Sequence, residues 1–221
     1  MKSNLIQHFR LAGFPLGLGL TSVLVSGTLN RVMIVELELP AALVGLFCAL
    51  PLLISPLRIW LGYRSDARPI WGLRREPFIL FGALIASVGV AGAAFAVIQE
   101  EGIKILFILL AMAAFLIYGL GKNLSSNTFE ALLADKFTGD DRPRAVTFYK
   151  VAMFVGIMLG ALLLGRLLSP FSIARFITIV NVVVLAAFIL AALAVAGQEP
   201  RKQEIVSESN AVRETPFFET F

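Results

Sequence analysis

The sequence predicts an all-α membrane protein with six transmembrane helices, and three observations predict it. The 221 residues are 58% hydrophobic and only 15% Asp, Glu, Lys and Arg, with a mean hydropathy of +0.85, an apolar excess that a water-soluble domain does not carry. Apolar runs of about 20 residues recur, each long enough to cross a hydrocarbon core of about 30 Å as a helix. No period-2 alternation is sustained, which argues against strands.

Span 1 is read over Phe14–Val35. It has no small-residue cleavage site followed by a polar mature domain and runs straight on to another span, so it reads as a retained helix and not a signal peptide. Asn30 and Arg31 lie near its far end, with Glu36 and Glu38 within reach of a local ion pair. Span 2, Ala41–Leu61, contains Pro51 and Pro56, which free backbone carbonyls and kink a helix. It also holds Cys48, the single cysteine, whose expected role is that of a small apolar filler. Span 3, Pro77–Ile98, has no charged residue.

Span 4, Ile105–Leu124, passes into "GLGKNLSSNTFEALLADKF". There Lys122, Ser126 and Glu130 recur every four residues and Asn123 and Asn127 do the same, so these groups share one side of a helix. Such a stripe faces protein or water, not lipid: it is either a helix-packing face or a ligand-facing wall, with Asn123, Asn127 and Glu130 as the candidate ligand-facing groups. Span 5, Val146–Leu168, repeats Ala152, Gly156 and Gly160 every four residues, with Gly165 beyond. Small residues at that spacing let a neighbouring helix come close, and Gly13 and Gly17 do so more weakly before span 1. Span 6 is read over Ser172–Ala196. Residues 1–197 therefore form a six-helix domain, and 198–221, too polar to bury a core, a disordered tail.

Basic residues gather on one side of these spans: Lys2 and Arg10, Arg64 to Arg75, Lys136 to Arg144, and Arg201 to Arg213. Acidic Glu36, Glu38, Glu100 and Glu101 gather on the other. The positive-inside rule puts both termini in the cytoplasm. The net charge of +4 is thus a topology signal, and no aromatic-interleaved basic segment points to nucleic acid. His8 is the only histidine, and no zinc set or nucleotide-binding loop is visible, so no metal site and no enzyme activity are expected.

Gly62, Asp66, Gly72, Arg74 and Arg75 in "GYRSDARPIWGLRREP", with Arg142 and Arg144 in "DRPRA", resemble the loop signatures in the N-terminal half of the major facilitator superfamily. More specifically, "GTLNRVMIVEL", "ALPLLISPLRIWLGYRSD" and "GLRREPFI" are similar to the PucC-like family of light-harvesting complex assembly proteins, also described as a bacteriochlorophyll or chlorophyll delivery family. The resemblance runs from about Leu11 to Pro200. It implies one half of a major-facilitator-type bundle in a photosynthetic membrane, thylakoid or cytoplasmic, whose loop motif ties helices 2 and 3 and docks on a second half. It also implies a transient chlorophyll or bacteriochlorophyll cargo and no certain resident cofactor. The implied partners are the lipid bilayer, antenna apoproteins or pigment-synthesis proteins, and a second six-helix half or a homodimer. A bound chlorophyll's Mg²⁺ prefers oxygen or nitrogen ligands, which Asn127 and Glu130 would offer, with Lys122 or Lys150 holding the carboxylate. Half of a small-molecule transporter stays open as the alternative, although span middles free of ionisable groups disfavour proton coupling.

The orientation is directly checkable. A cysteine replacing Arg68 is expected to stay unlabelled by an impermeant thiol reagent in intact cells and to react after the membrane is opened; labelling of intact cells would reverse the topology.

Overall fold

The computed structural model describes residues 2–56, 73–98, 104–139 and 141–199, with the side chains of 2–7 and 104 left aside. Among the described residues there are six α-helices and no β-strand. They are α1 (Lys2–Val23), α2 (Ala41–Leu53), α3 (Glu76–Ile98), α4 (Lys104–Lys136), α5 (Asp141–Leu167) and α6 (Ile173–Val195). With the winding that prolongs α1 to Glu36, five of them are long and apolar enough to cross a membrane. The chain is an integral, multi-pass membrane protein.

Several ends differ from the sequence reading, each for a physical reason. α1 starts at Lys2, and beyond Val23 it continues as two π-helical segments, Leu24–Leu29 and Val32–Glu36, closed by the Leu37 N–H donating to the Val32 carbonyl at 3.1 Å. The chain then reverses through Glu38, held at a φ of 52°, before Pro40 opens α2. α2 stops at Leu53 with Ile54 to Pro56 in a turn instead of running unbroken to Leu61, because Pro56 cannot donate and biases the residue before it away from helix. Hydropathy falls at Leu124, but α4 runs on to Lys136: the Ser125 and Thr128 hydroxyls bond back to the Lys122 and Leu124 carbonyls, good helix formers follow from Glu130 to Ala134, and the helix gives way at Phe137 before Gly139, whose φ is 58°.

α3 and α4 share the most extensive interface, α1 lies against both α5 and α6, α3 also meets α6, and α2 packs on α4. α4 and α5 barely touch, which leaves a cleft between them. The aromatic core is layered. Phe47 stacks on Phe115 with centroids 5.7 Å apart in one cluster, which also takes in Leu29, Met33, Val97 and Phe176. Phe14 stacks on Phe129 at 4.3 Å in the other, with Ile79, Phe137, Tyr149 and Val195. Outward, Leu53, Phe95, Leu109, Phe154, Met158, Val182 and Leu193 are exposed and form the belt expected against lipid tails.

Helix pairs in a bilayer gain little from hiding apolar surface, so they depend on close backbone approach. At Gly156 a Cβ would overlap the Leu16 carbonyl oxygen, and at Gly19 one would overlap the Met153 carbonyl oxygen, so α1 and α5 press backbone on backbone. Gly160 is looser, its nearest neighbour being the Leu20 side chain at 3.3 Å, and Ala152 is buried along the same face. The α3–α4 seam is built alike, with Gly89 against the Tyr118 backbone and Gly121 against the Ala86 backbone.

Gly165 supplies the internal control, since a Cβ there meets nothing within 4 Å. Gly165→Ala should be neutral or stabilising, by up to about 1 kcal/mol from helix propensity. Gly156→Ala should destabilise by about 1–3 kcal/mol through forced separation of α1 and α5. Thermal unfolding of the detergent-solubilised variants, followed by size-exclusion of the folded fraction, ranks them; equal behaviour would contradict the packing account.

Candidate functional site

Polar chemistry concentrates at the end of the bundle that carries the N-terminus, the start of α3 and the end of α6. α6 closes in a turn at Gly197, whose φ of 69° favours glycine, and the chain folds back so that Gln198 is buried. Glu199 then reaches the start of α3. Its carboxylate accepts from the backbone N–H of Arg74 at 2.8 Å, of Arg75 at 2.9 and 3.0 Å and of Glu76 at 3.4 Å. These are the donors that a helix N-terminus leaves unpaired, and the helix dipole favours an anion there.

The exchange is reciprocal. The Glu76 carboxylate, itself buried, accepts from the backbone N–H of Gly197 at 3.0 Å and of Glu199 at 2.5 Å. Cations bind the two together: Lys136 at the end of α4 donates to the backbone and side-chain oxygens of Gln198, and Arg10 of α1 donates to the Leu193 carbonyl at 2.9 Å and to the Ala196 carbonyl. Arg75 Nε lies 3.2 Å from Asp135 Oδ2. This clasp joins α1, α3, α4 and α6.

The sequence-derived loop motif falls into parts. Gly62, Asp66 and Gly72 lie outside the described residues, as does the tail beyond Glu199. Arg74 and Arg75 enter the clasp through backbone donors, and Arg75 through its guanidinium as well. Arg142 is exposed in the first turn of α5, and Arg144 pairs with Asp141 of the same turn at 3.5 Å.

Of the polar stripe of α4, Glu130 lines the α4–α5 cleft, whereas Asn123 reaches α2. Asn123 Nδ2 donates to the Pro51 carbonyl of α2 at 3.5 Å, an acceptor left open because the Ser55 N–H turns to the Leu52 carbonyl at 3.0 Å, and this leaves Asn123 Oδ1 as an acceptor. Lys122 lies over the Tyr118 ring at 5.6 Å. Glu130 meets Lys150 of α5 at 3.8 Å, the partner across the helix interface that the sequence allowed. Asn127 is half-buried on the same face. At the opposite end of the bundle, Arg31 pairs with Glu36 at 3.4 Å. No cluster of metal-ligating side chains occurs among the described residues.

Sequence reasoning missed Glu76, Gln198 and Glu199. The available signals were an acidic residue just before Pro77 in the first turn of a span, and a Gly followed by Gln-Glu just after the last span.

The clasp is expected to be a stability element. Glu76→Ala strands the part-buried N–H donors of Gly197 and Glu199 and should lower stability by about 1–2 kcal/mol, whereas Asp135→Asn at the Arg75 pair, whose carboxylate is exposed, should cost about 1 kcal/mol or less. Thermal midpoints of the two variants test the order, and the reverse order would disprove the clasp.

Comparison with known proteins follows the same lines. A family model described as PUCC protein matches residues 28–220. Protein PucC of Rhodovulum sulfidophilum is 36% identical over 89% of this chain and 45% of its own length. Protein PucC of Cereibacter sphaeroides is 36% identical over 88% and 44%. A protein of Rhodobacter capsulatus named bacteriochlorophyll synthase 44.5 kDa chain is 36% identical over 94% and 48%. The chain thus spans under half the length of these curated relatives. No solved structure matches it.

Proposed function

The chain belongs to the PUCC protein family, and from that premise we propose that it is a non-enzymatic factor that handles bacteriochlorophyll or chlorophyll while light-harvesting antenna complexes are assembled. The observation that carries this reading is the α4 stripe, a row of polar groups at four-residue steps inside an apolar bundle, of which Asn123 reaches Pro51 of α2 and Glu130 lines the cleft that α5 leaves open. A relative's name that refers to bacteriochlorophyll supports the cargo.

The residues fit a pigment that is passed on and not retained. Asn123, oriented through Nδ2, keeps an oxygen for a Mg²⁺ centre, and Asn127 stands one turn along. Glu130 is already engaged by Lys150, so the reading gives it the task of setting the local charge. The exposed apolar residues of α5 supply a surface for a hydrophobic macrocycle or an antenna helix. Antenna apoproteins or pigment-synthesis proteins, and a second six-helix half or a second copy, are the partners under this reading, in a photosynthetic membrane with both termini cytoplasmic.

Asn123→Leu, Asn127→Leu and Glu130→Leu, each introduced into a photosynthetic host lacking the native gene, should lower antenna yield per molecule of protein by about fivefold or more, the equivalent of one lost hydrogen bond of about 1 kcal/mol. Ser22→Ala and Ser87→Ala should have little effect. Membrane abundance, co-purifying pigment and antenna absorption are measured for each variant. Normal antenna yield per molecule in all three stripe variants would end the proposal, and pigment intermediates accumulating in place of lost antenna would point to catalysis.

A further inference from the structure

We infer that the cleft between the end of α4 and the start of α5 seats the phosphate headgroup of an anionic phospholipid. The cleft has a volume of about 290 Å³ and is lined by Glu130 and Leu133 from α4 and by Arg142, Val146, Tyr149 and Lys150 from α5. It lies at the basic end of the bundle, in the first turns of α5, where headgroups meet the helices.

Charge decides the ligand class. Two cations face one carboxylate, so the lining is net positive. Arg142 has no ion-pair partner among the described residues, and the nearby Asp141 is engaged by Arg144 at 3.5 Å. Lys150 is held from below by the Tyr149 ring, 4.7 Å from its centroid, and from the side by Glu130 at 3.8 Å. A half-exposed pair of that length is weak, so an incoming phosphate can share the ammonium group. The amino-terminal dipole of α5 adds to the attraction.

Size and continuity decide between an anion in solution and a lipid. The volume is at the lower limit of small-molecule sites, about 300 Å³, and accommodates a headgroup. The floor is apolar at Leu133 and Val146, and from Val146 an exposed ridge at four-residue steps winds along α5 through Phe154 and Met158. An acyl chain can follow that ridge while its phosphate stays between Arg142 and Lys150. Basic pockets between membrane helices bind acidic lipids in this way.

Native mass spectrometry of the detergent-solubilised chain, titrated with phosphatidylglycerol or phosphatidylcholine, tests the site. The anionic lipid should be retained roughly 30-fold more tightly, the product of two basic contacts of the usual strength near an acidic membrane surface. The double substitution Arg142→Gln and Lys150→Gln should abolish the preference, while Lys122→Gln, outside the cleft, should keep it. Glu130→Gln removes the competing carboxylate and should strengthen retention, an outcome that a misfolded variant would not give. Equal retention of both lipids by the unmodified chain, or an undiminished preference in the double variant, would overturn the inference. Thermal stabilisation by inorganic phosphate equal to that by phosphatidylglycerol would overturn it too, by moving the site to a soluble phosphate.

Discussion

Inside a bilayer nothing offers a hydrogen bond to a stray peptide group, and apolar helices lose little by facing lipid instead of each other. These two facts together set the structure. The backbone closes on itself in long helices, and the helices are then held by how near their axes can come. Gly156 beside Leu16, Gly19 beside Met153 and Gly121 beside Ala86 are where that nearness is achieved. A side chain at any of the three would hold the two helices apart along the apolar part of their contact.

Directional interactions take over where the chain emerges from the apolar layer. The clasp uses two carboxylates on backbone donors, so the partners are peptide groups fixed by helix geometry. The last described residues of the chain therefore hold the first turn of α3. The α4 stripe differs in kind: Asn123 and Glu130 make long contacts between helices, the 3.5 Å bond to Pro51 and the 3.8 Å pair with Lys150. One end of α4 is thus tied firmly at Lys136, and the stretch before it borders open space.

What could be read in advance follows from range. Spans were legible because hydropathy is summed over a single segment, and the face of Ala152, Gly156 and Gly160 because its spacing lies within one helix. The seam of Gly82, Gly89 and Gly121 was not, since its meaning appears only when α3 is laid on α4. The end of α4 was hidden because polarity rises at Lys122 while helix propensity persists to Lys136. The clasp was least legible of all. Its carboxylate bonds join positions 121 to 125 apart in sequence, through backbone donors that carry no residue signature. The Glu130–Lys150 pair was legible because a carboxylate on a membrane helix calls for a cation and Lys122 and Lys150 were the two on offer, although the pair proves half-exposed.

The winding of α1 carries one further consequence. Residues five apart stand about 140° apart around an α-helix, too far to pair, yet Arg31 and Glu36 meet at 3.4 Å because the segment between them is wound so that each residue bonds five back. A helical wheel drawn for the whole helix misplaces every side chain beyond Val23. The outer part of α1 holds slack: losing one residue there would tighten the coil into an ordinary α-turn and leave the two ends where they are, at the expense of swinging Arg31 away from Glu36. Chain length in this segment is a tunable quantity, and the azimuth of its polar groups is what it tunes.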